Sequence, residues 1–150
     1  MEIRTIKPVT IVYFSTKAKL SELQQFVGTK PDELFRDATN HGLEITGPNY
    51  WIYNGMDGNP ETTFDLEIAF PVNIKNSYNG SFKIKELPEF KCLSAVHNGS
   101  WMNMPNTYGK LIESVFQNGL NMSGICRELY HNVNFIDIEE NITEIQLGVI

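Results

Sequence analysis

Two apolar spacings take turns along this chain, strand-like and then helical, and the succession occurs twice. Val9-Thr10-Ile11-Val12-Tyr13-Phe14, made wholly of β-branched and aromatic residues, predicts a strand, and the largely apolar run Phe90-Lys91-Cys92-Leu93-Ser94-Ala95-Val96 is read as its counterpart. Downstream of the second run, Leu111, Ile112, Val115 and Phe116 fall on one face of a helix. Asn118-Gly119 stops that helix, because glycine accepts the left-handed conformation needed just past a helix end. Leu34, Phe35 and Ala38 do the same before His41-Gly42, with Pro31, Asp32 and Glu33 suited to the first turn. A shorter helical stretch around Leu20, Leu23, Phe26 and Val27 precedes it. Each glycine stop is followed by two strands, Tyr50–Tyr53 with Phe64–Val72 and Arg127–Tyr130 with Thr143–Val149. Asn79-Gly80 predicts a hairpin turn in the segment that joins the halves.

The residues themselves recur. Leu34, Gly42, Leu43, Gly47, Tyr53, Glu67, Ile68 and Val72 return as Leu111, Gly119, Leu120, Gly124, Tyr130, Glu144, Ile145 and Val149, at one constant offset and without a gap. The expected fold is therefore α+β: duplicated β-α-β-β units related by a pseudo-two-fold axis, sharing one antiparallel sheet. Helices are expected on one face of the sheet, and the opposite face is expected to form a central ligand cleft. The halves, about 1–75 and 85–150, are read as a single domain spanning residues 1–150, a length that supports one self-sufficient core.

Strand alternation sorts the side chains of the matched motifs. Within Arg127-Glu128-Leu129-Tyr130, Glu128 and Tyr130 share one face and Arg127 and Leu129 the other. With Leu129 assigned to the helices, Glu128 and Tyr130 face the cleft. The repeat places Trp51 and Tyr53 at the equivalent positions, so that acid and indole become symmetry mates facing one another. Tyr50 turns to the helix face and is left out of the site, while Trp101 and Tyr13 are candidates to close the ends of the cleft. Aromatic walls with a sheltered carboxylate suit a flat cation. The competing account makes Trp51, Tyr53 and Tyr130 ordinary core aromatics and Glu128 a solvated strand residue.

Composition narrows the function classes. A net charge of -6 and a pI near 5.0 argue against direct nucleic-acid binding, which needs clustered basic residues. His41, His97 and His131 lack zinc-like spacing and Cys92 and Cys126 read as reduced core thiols, so no metal and no cofactor is expected. No signal-like or membrane-spanning apolar run is present, so a cytoplasmic protein without membrane association is expected.

Taken together, the Gly99-Ser100-Trp101 loop, the helix ending in Asn118-Gly119-Leu120, the Arg127-Glu128-Leu129-Tyr130 strand and the closing Thr143–Val149 strand resemble the GyrI-like family. That family includes effector-binding domains of AraC-type and MerR-type multidrug transcription regulators. The Arg-Glu-Leu-Tyr strand is the sharpest motif, and Gly148-Val149 departs from the Pro-Val with which relatives often close. The resemblance implies a stand-alone ligand-binding module whose Glu128 contacts hydrophobic, cationic, often aromatic ligands. Sensing or sequestering such a molecule is the first function expected. The resemblance also implies two alternatives: a hydrolase of reactive small molecules using Glu128 as general base and Tyr130 as hydrogen-bond donor, and a protein inhibitor of the gyrase-inhibitor kind. A protein partner or a homodimer is compatible with each.

Overall fold

The computed structural model describes residues 1–150. Nine strands are present: β1 (Glu2–Ile6), β2 (Val9–Ala18), β3 (Leu43–Ile45), β4 (Asn49–Asn54), β5 (Phe64–Ile74), β6 (Lys83–Leu87), β7 (Phe90–Asn98), β8 (Met122–Asn132) and β9 (Ile142–Val149). Two α-helices, α1 (Lys30–Asn40) and α2 (Met104–Gln117), follow β2 and β7. The strands form one antiparallel sheet in the order β1-β7-β9-β8-β4-β5-β2-β6, with β3 paired to β5. Read outward from the central β4–β8 pair, the order is β5, β2 on one side and β9, β7 on the other. The α+β fold of two β-α-β-β arrangements about a pseudo-two-fold axis is thus present.

Both helices start and stop for local reasons. Proline lies in the first turn of each, where its missing N–H costs nothing. Gly42 and Gly119 follow the ends at φ 83 and φ 66, and Leu120 donates back to the Val115 carbonyl at 3.0 Å. The buried residues of α1, Leu34 and Ala38, are one turn apart, as are Leu111 and Val115 of α2. The helical stretch expected around Leu20, Leu23, Phe26 and Val27 is a 3-10 helix over Leu20–Gln25.

Two expectations need correction. Asn79-Gly80 does not close a hairpin, because β6 pairs with β2 and not with β5, so the connection must pass over a strand. The larger error concerns the faces of the sheet. The core under the helices contains Trp51, Tyr53, Cys126, Leu34, Leu111 and Val115, whereas Leu129, Tyr50, Ile52, Ala69, Ile11 and Leu87 form a separate cluster on the helix-free face. Leu129 and Tyr50 therefore turn away from the helices, and Glu128 turns towards them. The cleft lies on the helix side because α1 packs over β2, β3 and β5 while α2 packs over β7, which leaves the central β4–β8 pair open between them.

Candidate functional site

A cavity of about 1070 Å³ occupies the space between the helices. Its floor is the β4–β8 pair, from which alternation raises Trp51, Tyr53, Cys126, Glu128 and Tyr130 on the same side. Leu20, Leu23 and Val27 form one wall, and Met104, Tyr108 and Ile112 of α2 the other. Trp101 and Phe135 stand at one end with ring centres 6.0 Å apart.

Glu128 is the only carboxylate on the floor, 5% exposed, and its bonding is specific. Oε1 accepts hydrogen bonds from the phenols of Tyr53 at 2.9 Å and Tyr130 at 2.5 Å, and Oε2 accepts one from Tyr108. No lysine, arginine or histidine pairs with it. Burial raises the pKa of the Glu128 carboxyl, and the three phenol donors oppose that rise without cancelling it. The phenols of Tyr53, Tyr108 and Tyr130 are raised in turn, by burial first and then by neighbouring charge, so they remain donors. Burial likewise holds the Cys126 thiol well above its usual range, which makes it an inert wall.

The aromatic groups pack edge to face. Tyr130 meets Trp51 at 6.1 Å and Trp101 at 5.6 Å between ring centres. The Trp51 indole donates to Asn49 Oδ1 at 2.8 Å, and that of Trp101 to Thr143 Oγ1 at 3.1 Å, which fixes both rings. Trp51 and Glu128 are direct cross-strand partners and stand side by side on the floor, not facing one another across the hollow. The structure thus brings together Glu128, Trp51, Tyr53, Tyr130 and Trp101. It excludes Tyr13, which lies on the helix-free face beneath the Lys85 ammonium at 4.4 Å. The β2 strand carries it there by the same alternation that buries Val12 under the helices.

Sequence reasoning missed Tyr108. The signal was available, because Tyr108, Leu111, Ile112 and Val115 follow one helical stripe, and a tyrosine at its head points over the sheet. Both ring nitrogens of His97 are used structurally: Nε2 donates to the Ser100 carbonyl and Nδ1 bonds Thr107 Oγ1 of α2, each at 2.8 Å. No three His, Cys, Asp or Glu side chains converge.

The GyrI-like small molecule binding domain family matches residues 1–150. The chain belongs to that family. No curated protein is recognisably similar to this GyrI-like domain in sequence. Among solved structures, the EcmrR C-terminal domain shares the fold with a TM-score of 0.82 at 20% identity, covering 99% of this chain and 96% of that one. In a DNA complex of EcmrR the match, at TM-score 0.78 and 23% identity over 99% of this chain, covers 56% of the longer chain. SAV2435, solved bound to tetraphenylphosphonium, matches with a TM-score of 0.66 at 15% identity over 100% of this chain and 94% of its own. A Listeria innocua protein described as a hydrolase matches with a TM-score of 0.65 at 12% identity, over 99% and 91% of the two chains. At these identities the likeness to the GyrI-like domain is one of fold. No helix is long and apolar enough to cross a membrane.

Proposed function

We propose that this GyrI-like domain binds a hydrophobic aromatic cation in the cavity between its helices, with Glu128 as counter-ion and Trp51, Tyr130 and Trp101 as walls. One observation carries the reading: a buried carboxylate, held by three phenols and by no cation, at the floor of an aromatic cavity. Phenols orient the acid and share its charge but do not neutralise it. A cation entering beside them supplies the missing charge, and ring faces add cation–π attraction. The volume of about 1070 Å³ lies just above the ~300–1,000 Å³ usual for small-molecule pockets, enough for a multi-ring ligand. The tetraphenylphosphonium bound to SAV2435 supports the choice of ligand class.

Titration with tetraphenylphosphonium, followed by the fluorescence of Trp51 and Trp101, tests the proposal. Glu128→Gln keeps the shape and removes the charge, and should weaken binding by about 1.5–3 kcal/mol, roughly 10- to 150-fold. Equal affinity in the two proteins would sink the assignment of Glu128. A second reading is favoured by the raised pKa of Glu128 beside phenol donors, which is the arrangement of a general base with an oxyanion donor. Turnover of an epoxide by the wild type and not by Glu128→Gln would establish catalysis in place of binding alone.

A further inference from the structure

The helix-free face carries a second hollow, of about 880 Å³, and a buried cation without a counter-ion lies in its wall. Arg127 precedes Glu128 on β8 and so projects to the opposite side of the sheet. It is 2% exposed, and its Nε and Nη1 have no hydrogen-bond partner. Phe90 lies under the guanidinium, 4.0 Å from its carbon to the ring centre, and offers cation–π attraction but no anion.

Strand register explains the isolation. Gln146, Arg127, Ile52 and Glu67 are successive neighbours across β9, β8, β4 and β5. An isoleucine therefore separates Arg127 from the carboxylate in its row by two strand spacings, about 10 Å. The acids of this face are engaged elsewhere: Glu67 by Lys85, Asp65 by Lys17 at 2.9 Å, and Glu144 by Arg4 at 2.8 Å and His131 at 2.9 Å. Gln146 leaves its Oε1 buried and unpartnered beside Arg127. Its single amide oxygen could take one N–H and would still leave the charge without an anion. Exposed Glu89 and Lys91, two positions apart in the chain, also line the hollow.

Ile52, Leu87, Pro88 and Ile125 give the hollow one apolar stretch, while Ser15, Thr16, Asn54 and Ser123 add uncharged polar groups. A planar guanidinium fork matches a carboxylate or phosphate. We propose that this hollow is a second ligand site, for an amphiphilic anion whose carboxylate or phosphate pairs with Arg127 while its hydrocarbon body lies along the apolar wall. Its chemistry is the inverse of the cavity beneath the helices, and the two sites back onto consecutive residues of one strand.

Calorimetric titration of the full chain with decanoate and with octyl phosphate tests this. Saturable binding of at least one is expected, the tighter of the two identifying the head group, with a shift of the Arg127 Nε–Hε resonance. Arg127→Lys keeps the charge and loses the fork. Ser15→Trp, at an exposed lining position on β2, fills the hollow without disturbing the buried arginine and decides the matter should Arg127→Lys not fold. Each should weaken binding at least tenfold. Failure of both amphiphiles to bind the wild type, or undiminished binding in Ser15→Trp, would overturn the proposal.

Discussion

At the scale of residues, Glu128 is set between two opposed effects. Burial favours its protonated form, three phenol donors favour the ionised form, and burial prevails. A bound cation reverses the outcome by adding an opposite charge, so binding below the raised pKa expels a proton. Affinity for tetraphenylphosphonium should therefore climb as pH rises through that pKa and then level off, while Glu128→Gln should give a flat profile. Stability without ligand runs the other way. The folded carboxyl holds its proton more tightly than the unfolded one, so its stabilising contribution is present at low pH and is lost as pH rises from about 4.3 through the folded value. Urea midpoints measured at pH 4 and pH 8 should show Glu128→Gln gaining on the wild type. Asp37 and Glu144, whose carboxyls are lowered, contribute in the opposite direction but equally in both proteins, so they drop out of the difference. Tyr108→Phe removes one of the donors that favour the ionised form. It should weaken cation binding by about 1.5 kcal/mol, roughly tenfold, with the larger loss on the acid side of the raised pKa, as a titration series from acid to alkaline pH would reveal.

At the scale of elements, the helix ends matter as much as the helix faces, because α2 must stop where it does for Leu120 to turn back to Val115. Gly119 at φ 66 makes that stop, and an alanine there would be forced into left-handed backbone. Gly119→Ala should destabilise the fold by about 1–2 kcal/mol with an unchanged urea m-value, and open space around the missing side chain leaves backbone strain as the cause. Stops of this kind were legible in the sequence, as was the alternation that puts Glu128 with Tyr130 and Trp51 with Tyr53. The side of the sheet was not legible. Leu129, Tyr50, Ile52 and Ala69 make the helix-free face apolar as well, so alternation separates two faces without saying which one the helices cover. Tyr13 was misplaced for a related reason, since a strand aromatic is equally at home in either cluster. Asn79-Gly80 carries a strong hairpin signal, but β2 takes both neighbouring positions, and only non-local pairing decides that.

At the scale of the whole molecule, the cavity sits on the seam between the two β-α-β-β arrangements. One central strand supplies Trp51 and Tyr53, the other Glu128 and Tyr130, and each arrangement contributes one helical wall. A ligand held there touches both arrangements at once and should stabilise the chain as one unit. At a tetraphenylphosphonium concentration 100 times Kd, linkage gives about 2.7 kcal/mol, which for a chain of 150 residues corresponds to a rise in Tm of roughly 5–10 °C. If Glu128→Gln weakens binding about 100-fold, the same concentration equals its Kd and yields only about 0.4 kcal/mol, a shift near 1 °C. Differential scanning calorimetry would read both shifts. Because the sheet runs unbroken through the β4–β8 pair and both arrangements share one core, the transition should stay single and move upward as a whole, with calorimetric and van't Hoff enthalpies in agreement.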